Sequence, residues 1–256
     1  MHSEHSQNNT TLQFWNTNLP PPLRTPTCPS FLLYAYSNPK DLRTLSTPDA
    51  HFTPQTWSEV ATLIAENRLA DFQRVPSELY RYRKFVEDVE REWGSVVRFL
   101  VRQRLGWEVD GEGRVVGEGG VDGGAEHVGW EEGLENEYLY KILPNDWPYG
   151  LSPSITHLVV WTKFTLPTDP DSPTGDLTPA AKNAVQAFVD RKFSSVCGKD
   201  NVLWFRNGAA LKSVRAVEHF HVLLRDAKPE WVEAWTGGRK ALAEMKRRQE
   251  DEAAAR

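Results

Sequence analysis

The chain has 256 residues, 39% of them hydrophobic and 11% aromatic, with a formal net charge of -5. That content supplies a sizeable core and argues against wholesale disorder, while the mild acidity argues against a general binder of the nucleic-acid backbone, which would carry a basic face. No apolar run approaches the roughly 20 residues needed to span a bilayer.

The N-terminus has no basic-then-apolar leader pattern. Cys28 and Cys197 lie far apart in sequence, so neither a disulfide scaffold nor a cysteine zinc cluster is indicated. The expectation is an intracellular protein, cytoplasmic or nuclear, with no membrane and no nucleic-acid partner.

Residues 1–50 mix Ser, Thr, Asn and Pro and read as a mostly flexible segment, with the apolar piece 31–36 able to dock on the main domain. Order is expected from His51, with Thr53 capping a helix that starts at Pro54 and carries Trp57, Val60, Leu63 and Ile64 at helical spacing. A second helix starts at Pro76. A third holds Val96, Val97, Leu100, Val101 and Leu105 and ends near Gly106. Arg74, Arg81 and Arg83 could face an anionic ligand, but no spacing among them is diagnostic and their ordinary reading is as solvated helix charges.

From about 110 to 129 glycine and acidic residues dominate, which reads as a surface insertion; its glycines have no phosphate-loop spacing. Strands are expected at 138–143 and 155–161, the latter rich in β-branched and aromatic residues. Between them, prolines fix a turn around Asp146 and Trp147. A helix begins at Asp176 or Thr178 before Pro179, and a last one near Asp226 or Pro229, reoriented at Gly237 and Gly238. Residues 246–256 form a charged tail. The chain thus reads as one α+β domain over 51–245.

The stretch 201–224 is the centre of the functional argument. It breaks at Arg206, Asn207 and Gly208 and resumes as an alternating segment in which His219 and His221, two apart on a strand, share one face. Two neighbouring imidazoles can act as nucleophile, proton carrier or metal ligands. Glu218 should point the other way. Ser213, Lys212, Asn207 and backbone amides near Gly208 are candidates for contacting an anion or polar substrate; His157 and Lys163 can add an imidazole and a positive charge. The turn of Asn145, Asp146 and Trp147 is expected beside the same site, where Trp147 or Trp161 can stack on a base or sugar. No complete metal-ligand set is legible, and no cofactor is expected.

The motifs ILPNDWPYG, ITHLVVWTK and LKSVRAVEHFHVLL, with NRLADFQRVPSELYRY and WGSV before them, resemble the fungal N-acetylglucosamine-induced protein 1 family over roughly residues 53–224. That resemblance implies a fungal protein connected with the response to an amino sugar. The order HLVVWTK, helix, NVLWFRNG, KSV and HFHVLL also resembles the histidine-triad nucleotide hydrolases and transferases. This implies an α+β fold with an antiparallel sheet core, N-terminal helices and a C-terminal helix. It also implies His219 as nucleophile, His221 as supporting histidine, Ser213 near the phosphate and Asn207 near the ribose. Val217 stands where that family has its first histidine. The implied ligand is a phosphate-containing small molecule or sugar. A non-catalytic regulatory or protein-interaction domain with a degenerate site is the competing expectation.

Overall fold

Alternation of apolar residues along two eight-residue strands builds the centre of the molecule. The structure, a computed structural model, describes residues 13–108, 129–208, 211, 212 and 214–254. In chain order the helices before the sheet are α1 (Pro39–Leu45), α2 (Trp57–Ala65), α3 (Pro76–Trp93), α4 (Val96–Phe99) and the short α5 (Trp130–Gly133). A wider π-helical turn, Leu100–Leu105, extends α4 and ends at Gly106 in the left-handed region. Then come β1 (Tyr140–Pro144), β2 (Ile155–Thr162), α6 (Pro179–Val189), α7 (Ser195–Cys197), β3 (Val202–Phe205), β4 (Glu218–Arg225), α8 (Pro229–Thr236) and α9 (Leu242–Ala254).

The sheet runs β1-β2-β4-β3 with every pair antiparallel. Even-numbered positions of the central strands, Leu158, Val160, Phe220, Val222 and Leu224, pack on α6 through Val185, Phe188 and Val189. Odd-numbered positions face the other layer. There α2 and the turn after it supply Val60, Leu63, Leu69 and Phe72 against Leu223 and Phe205. The α4 extension supplies Leu100, Val101 and Leu105 against Val159 and Trp161. The three histidines sit on this face, in the register between the two clusters.

Several expectations are corrected. Helix α2 is capped by Thr56, not Thr53: the Thr56 side chain accepts from Glu59 N–H while the Glu59 carboxylate accepts from Thr56 N–H, a reciprocal pair that satisfies two otherwise orphaned donors. Residues 13–50, expected to be mostly flexible with 31–36 able to dock, pack more widely than that. Phe14, Trp15, Leu32, Ala35 and Leu45 are buried against Leu79 of α3, because short helical turns bring these scattered apolar side chains to one patch. The charged C-terminus is a docked helix: Arg81 of α3 pairs with Glu250, and Arg247 pairs with Glu78, both at 3.0 Å. The glycine-rich insertion lies almost wholly outside the described residues.

Candidate functional site

Register decides which imidazoles meet. His221 is opposite Val159 and His219 opposite Trp161, so His157, opposite Leu223, is the diagonal neighbour of His221 and within reach of a long side chain. His157 Nε2 and His221 Nδ1 are 3.0 Å apart. Trp147 N–H donates to Asn145 Oδ1 at 3.0 Å, which fixes that amide and turns its Nδ2 toward the His157 ring, 3.1 Å from Nε2 and 3.4 Å from Nδ1. Of His157 Nε2 and His221 Nδ1, one donates and the other accepts. The other nitrogen of His221 lies 3.3 Å from Asn207 Nδ2, so both nitrogens of His221 have partners.

His219 is different. Its Nδ1 lies 2.9 Å from the Val217 carbonyl oxygen. A carbonyl only accepts, so Nδ1 carries the proton and Nε2 keeps its lone pair. Among the described residues Nε2 has no hydrogen-bond partner. Trp161 stacks on the ring at 4.4 Å between centroids. Burial lowers the pKa of His219 to about 4, and the Val217 hydrogen bond only partly offsets it. Burial, aided by the Arg74 charge, lowers His157 to about 3. His221 is also held well below its ordinary value, first by burial and then by the neighbouring histidines. All three imidazoles are neutral at pH 7.

Glu218 points away from the histidine row, as alternation requires, and collects two cations. Its carboxylate accepts from Arg206 Nε at 3.1 Å and Nη2 at 2.9 Å, from Lys212 Nζ at 2.5 Å, and from the backbone N–H of His219 at 3.0 Å. Burial alone would raise its pKa, but the hydrogen bonds from Arg206 and Lys212 outweigh that and hold it at about 2.

The sequence candidates separate accordingly. His157, Asn207, His219 and His221 come together. Asn207 is 4% exposed, and its Nδ2 also donates to Tyr149 while Oδ1 has no protein partner among the described residues. Turning the amide over would leave Nδ2 unpaired instead.

Asp146 does not join the row. Its carboxylate is held by Arg104 at 2.6 and 2.9 Å and by the N–H of Leu242, tying β1 to the start of α9. Trp147 is packed among Phe85, Val89 and Ala243 rather than offered to a ligand. Lys163 lies over the Trp107 ring, and Ser213 lies outside the described residues. Among the described residues no group of three or more His, Cys, Asp or Glu side chains is placed to hold a metal ion.

Of the turn residues expected beside the site, Asn145 alone reaches the row, and its place near His157 follows from β1–β2 pairing rather than from the turn's composition. Sequence reasoning missed Tyr149, which stacks on His157 at 5.4 Å. Gly208 opens the turn that carries Lys212, with Leu211 and Lys212 N–H donating to its carbonyl oxygen. A Cβ there would lie 2.1 Å from the Thr174 carbonyl oxygen. Gly208→Ala is expected to push this turn aside at a cost of about 1–3 kcal/mol, read as a lowered thermal midpoint; an unchanged midpoint would contradict the close approach.

A four-stranded antiparallel sheet, helices at both ends of the chain and imidazoles two apart on a central strand define an α+β protein related to the histidine-triad fold. The crystal structure of HTC1 shares it, with a TM-score of 0.53 and 27% identity over 72% of this chain and 94% of that one. The family model described as protein of unknown function (DUF3605) matches residues 56–225, and the chain belongs to that family. It is 28% identical to N-acetylglucosamine-induced protein 1 of Candida albicans over 72% of this chain and 74% of that protein. It is 29% identical to an uncharacterized protein of Saccharomyces cerevisiae over 66% of this chain and 77% of that protein. No described helix is long and apolar enough to cross a membrane.

Proposed function

We propose that the chain binds a phosphate-bearing small molecule, such as a nucleotide or nucleotide sugar, beside His219 and transfers or hydrolyses it through Nε2 of that residue. The observation that carries this reading is the Val217 carbonyl on Nδ1, which leaves a neutral imidazole with its lone pair on Nε2. Such a nitrogen is a competent nucleophile without prior deprotonation.

In the proposed step the Nε2 lone pair forms a bond to the α-phosphorus of a nucleotide sugar, and the bond from phosphorus to the bridging oxygen breaks. The sugar phosphate leaves as an anion with that electron pair. Water then attacks phosphorus, loses a proton to solvent, and releases the nucleotide with neutral His219 restored. His221 holds its strand position through His157 and Asn207 and stays unreactive, since both of its nitrogens are bonded. Asn207 Oδ1, buried and without a partner among the described residues, suits a ligand hydroxyl. The relative in Candida albicans is named for induction by N-acetylglucosamine, which favours an amino-sugar nucleotide among the substrates and a place in the response to that sugar.

A second reading, a regulatory domain that binds without turnover, is favoured by two observations. Val217 is packed among Leu100, Val101 and Trp161 where a first histidine would stand, and His219 is only 3% exposed. Wild type and His219→Asn are to be compared on a panel of nucleotides and nucleotide sugars by thermal shift and product mass. Catalysis predicts a shift in both and product from wild type alone, with a nucleotidyl adduct on His219 in wild type stopped early. Binding by both with product from neither leaves the regulatory reading.

A further inference from the structure

Among the described residues the buried charges beside His219 do not balance. Arg206, Lys212 and Glu218 side chains are 10%, 7% and 6% exposed, and they carry two positive charges against one. Isolated buried charge is strongly disfavoured, and among the described residues this group is one anion short of balance. Arg206 uses its fork on Glu218 and gives a further donor to the Gly175 carbonyl oxygen. It is anchored at both ends. Among the described residues Lys212 has a single partner, the same Glu218 oxygen that already accepts from Arg206 Nε and from the His219 N–H. That oxygen is over-subscribed, and the ammonium with its three donors is the component able to leave.

The charge excess adjoins the backbone of His219, and one of its members lines a surface cleft. Glu218 is bonded to the backbone of His219 itself, and both cations act electrostatically on that imidazole. Arg206 also lines a surface cleft of about 860 Å³ between α2 and α6, along β3, with Asn67, Lys182, Gln186 and Trp204 on its walls.

Building on the phosphate-site reading above, we infer that Lys212 is the specificity-determining residue for ligand charge: it rests on Glu218 in the free protein and turns to the ligand's phosphate when the site is filled, with Arg206 holding Glu218 in its place. Lys212 thereby makes binding depend on an anionic group. Glu218 competes with the ligand for the same ammonium.

Competition gives two substitutions opposite signs, which a purely structural ion group would not. Lys212→Met leaves Arg206 and Glu218 as a balanced bidentate pair, so the fold is retained. Glu218→Gln keeps the shape and frees the lysine. The probes are adenosine 5′-monophosphate and adenosine, titrated by calorimetry into the full chain.

Wild type is expected to prefer the monophosphate. Lys212→Met should weaken it at least about tenfold, the size of a lost charged hydrogen bond, with adenosine unaffected and Lys212→Arg restoring part of the loss. Glu218→Gln should bind the monophosphate several-fold tighter than wild type although its melting point is lower. Weakening by both Lys212→Met and Glu218→Gln, or equal affinity in wild type and Lys212→Met, would overturn the role of Lys212 while leaving a phosphate site. Wild type binding neither probe would overturn the site itself and this role with it.

Discussion

Glu218→Ala is expected to destabilise the protein by about 3–5 kcal/mol, the usual consequence of removing one partner from a buried ion group. The loss is more than one contact. Arg206 and Lys212 would be left buried with no acidic partner among the described residues, and the His219 N–H would lose its acceptor. Against a total stability of about 5–15 kcal/mol this is a large fraction, so the variant should show a much lower urea midpoint and reduced yield. The double variant Glu218→Ala with Lys212→Met should recover part of the loss, because one of the two stranded cations is gone. A Glu218→Ala midpoint close to wild type would mean that water already neutralises the group and that its charge excess is not felt.

Much of the sheet was legible because its signal is local. Val159, Val160 and Trp161, like Phe220, Val222 and Leu224, sit in runs of β-branched, aromatic and aliphatic residues, and period-two alternation alone places His219 and His221 on one face and Glu218 on the other. Partner choice is not local. His157 meets His221 and not His219 because of a two-residue diagonal in the β2–β4 register, which nothing in either strand's own sequence specifies.

The same holds for Asp146. A carboxylate in a proline-bounded turn beside the strands suggests a binding role, but its arginine is 42 residues away on the π-helical turn. The two chain ends depart from their sequence reading for related reasons. Phe14 and Trp15 lie in a turn too short to show a period, and the polar helix α9 is held by ion pairs to α3 that composition cannot foresee. The cap of α2 was readable: Glu59 stands three residues after Thr56, whereas Thr53 has no acidic residue at that spacing.

Acid should unfold the protein in a window set by the histidine row. His157, His219 and His221 have an ordinary pKa of 6.5; in the fold His157 falls to about 3 and His219 to about 4, with His221 also lowered. Each folded value lies below the unfolded one, so between them the unfolded chain binds more protons and stability rises with pH. It is therefore full above about pH 6.5 and lost as the pH falls toward the folded values. Each such histidine contributes up to about 1.4 kcal/mol per pH unit, or about 2 kcal/mol by pH 5. Coupling within the His157–His221 pair keeps the sum below three independent groups. Glu218, with its pKa near 2, adds its own loss only as the pH falls through the carboxylate range, so the two phases are distinguishable. Urea midpoints measured from pH 7 to pH 5 should drop steeply in wild type. In His157→Phe, which keeps a ring against Tyr149 and removes one titrating group, the slope should flatten by about one proton. A wild-type midpoint that stays level down to pH 5 would mean that the imidazoles protonate freely in the folded protein, and with that the neutral lone pair assigned to His219 would lose its basis.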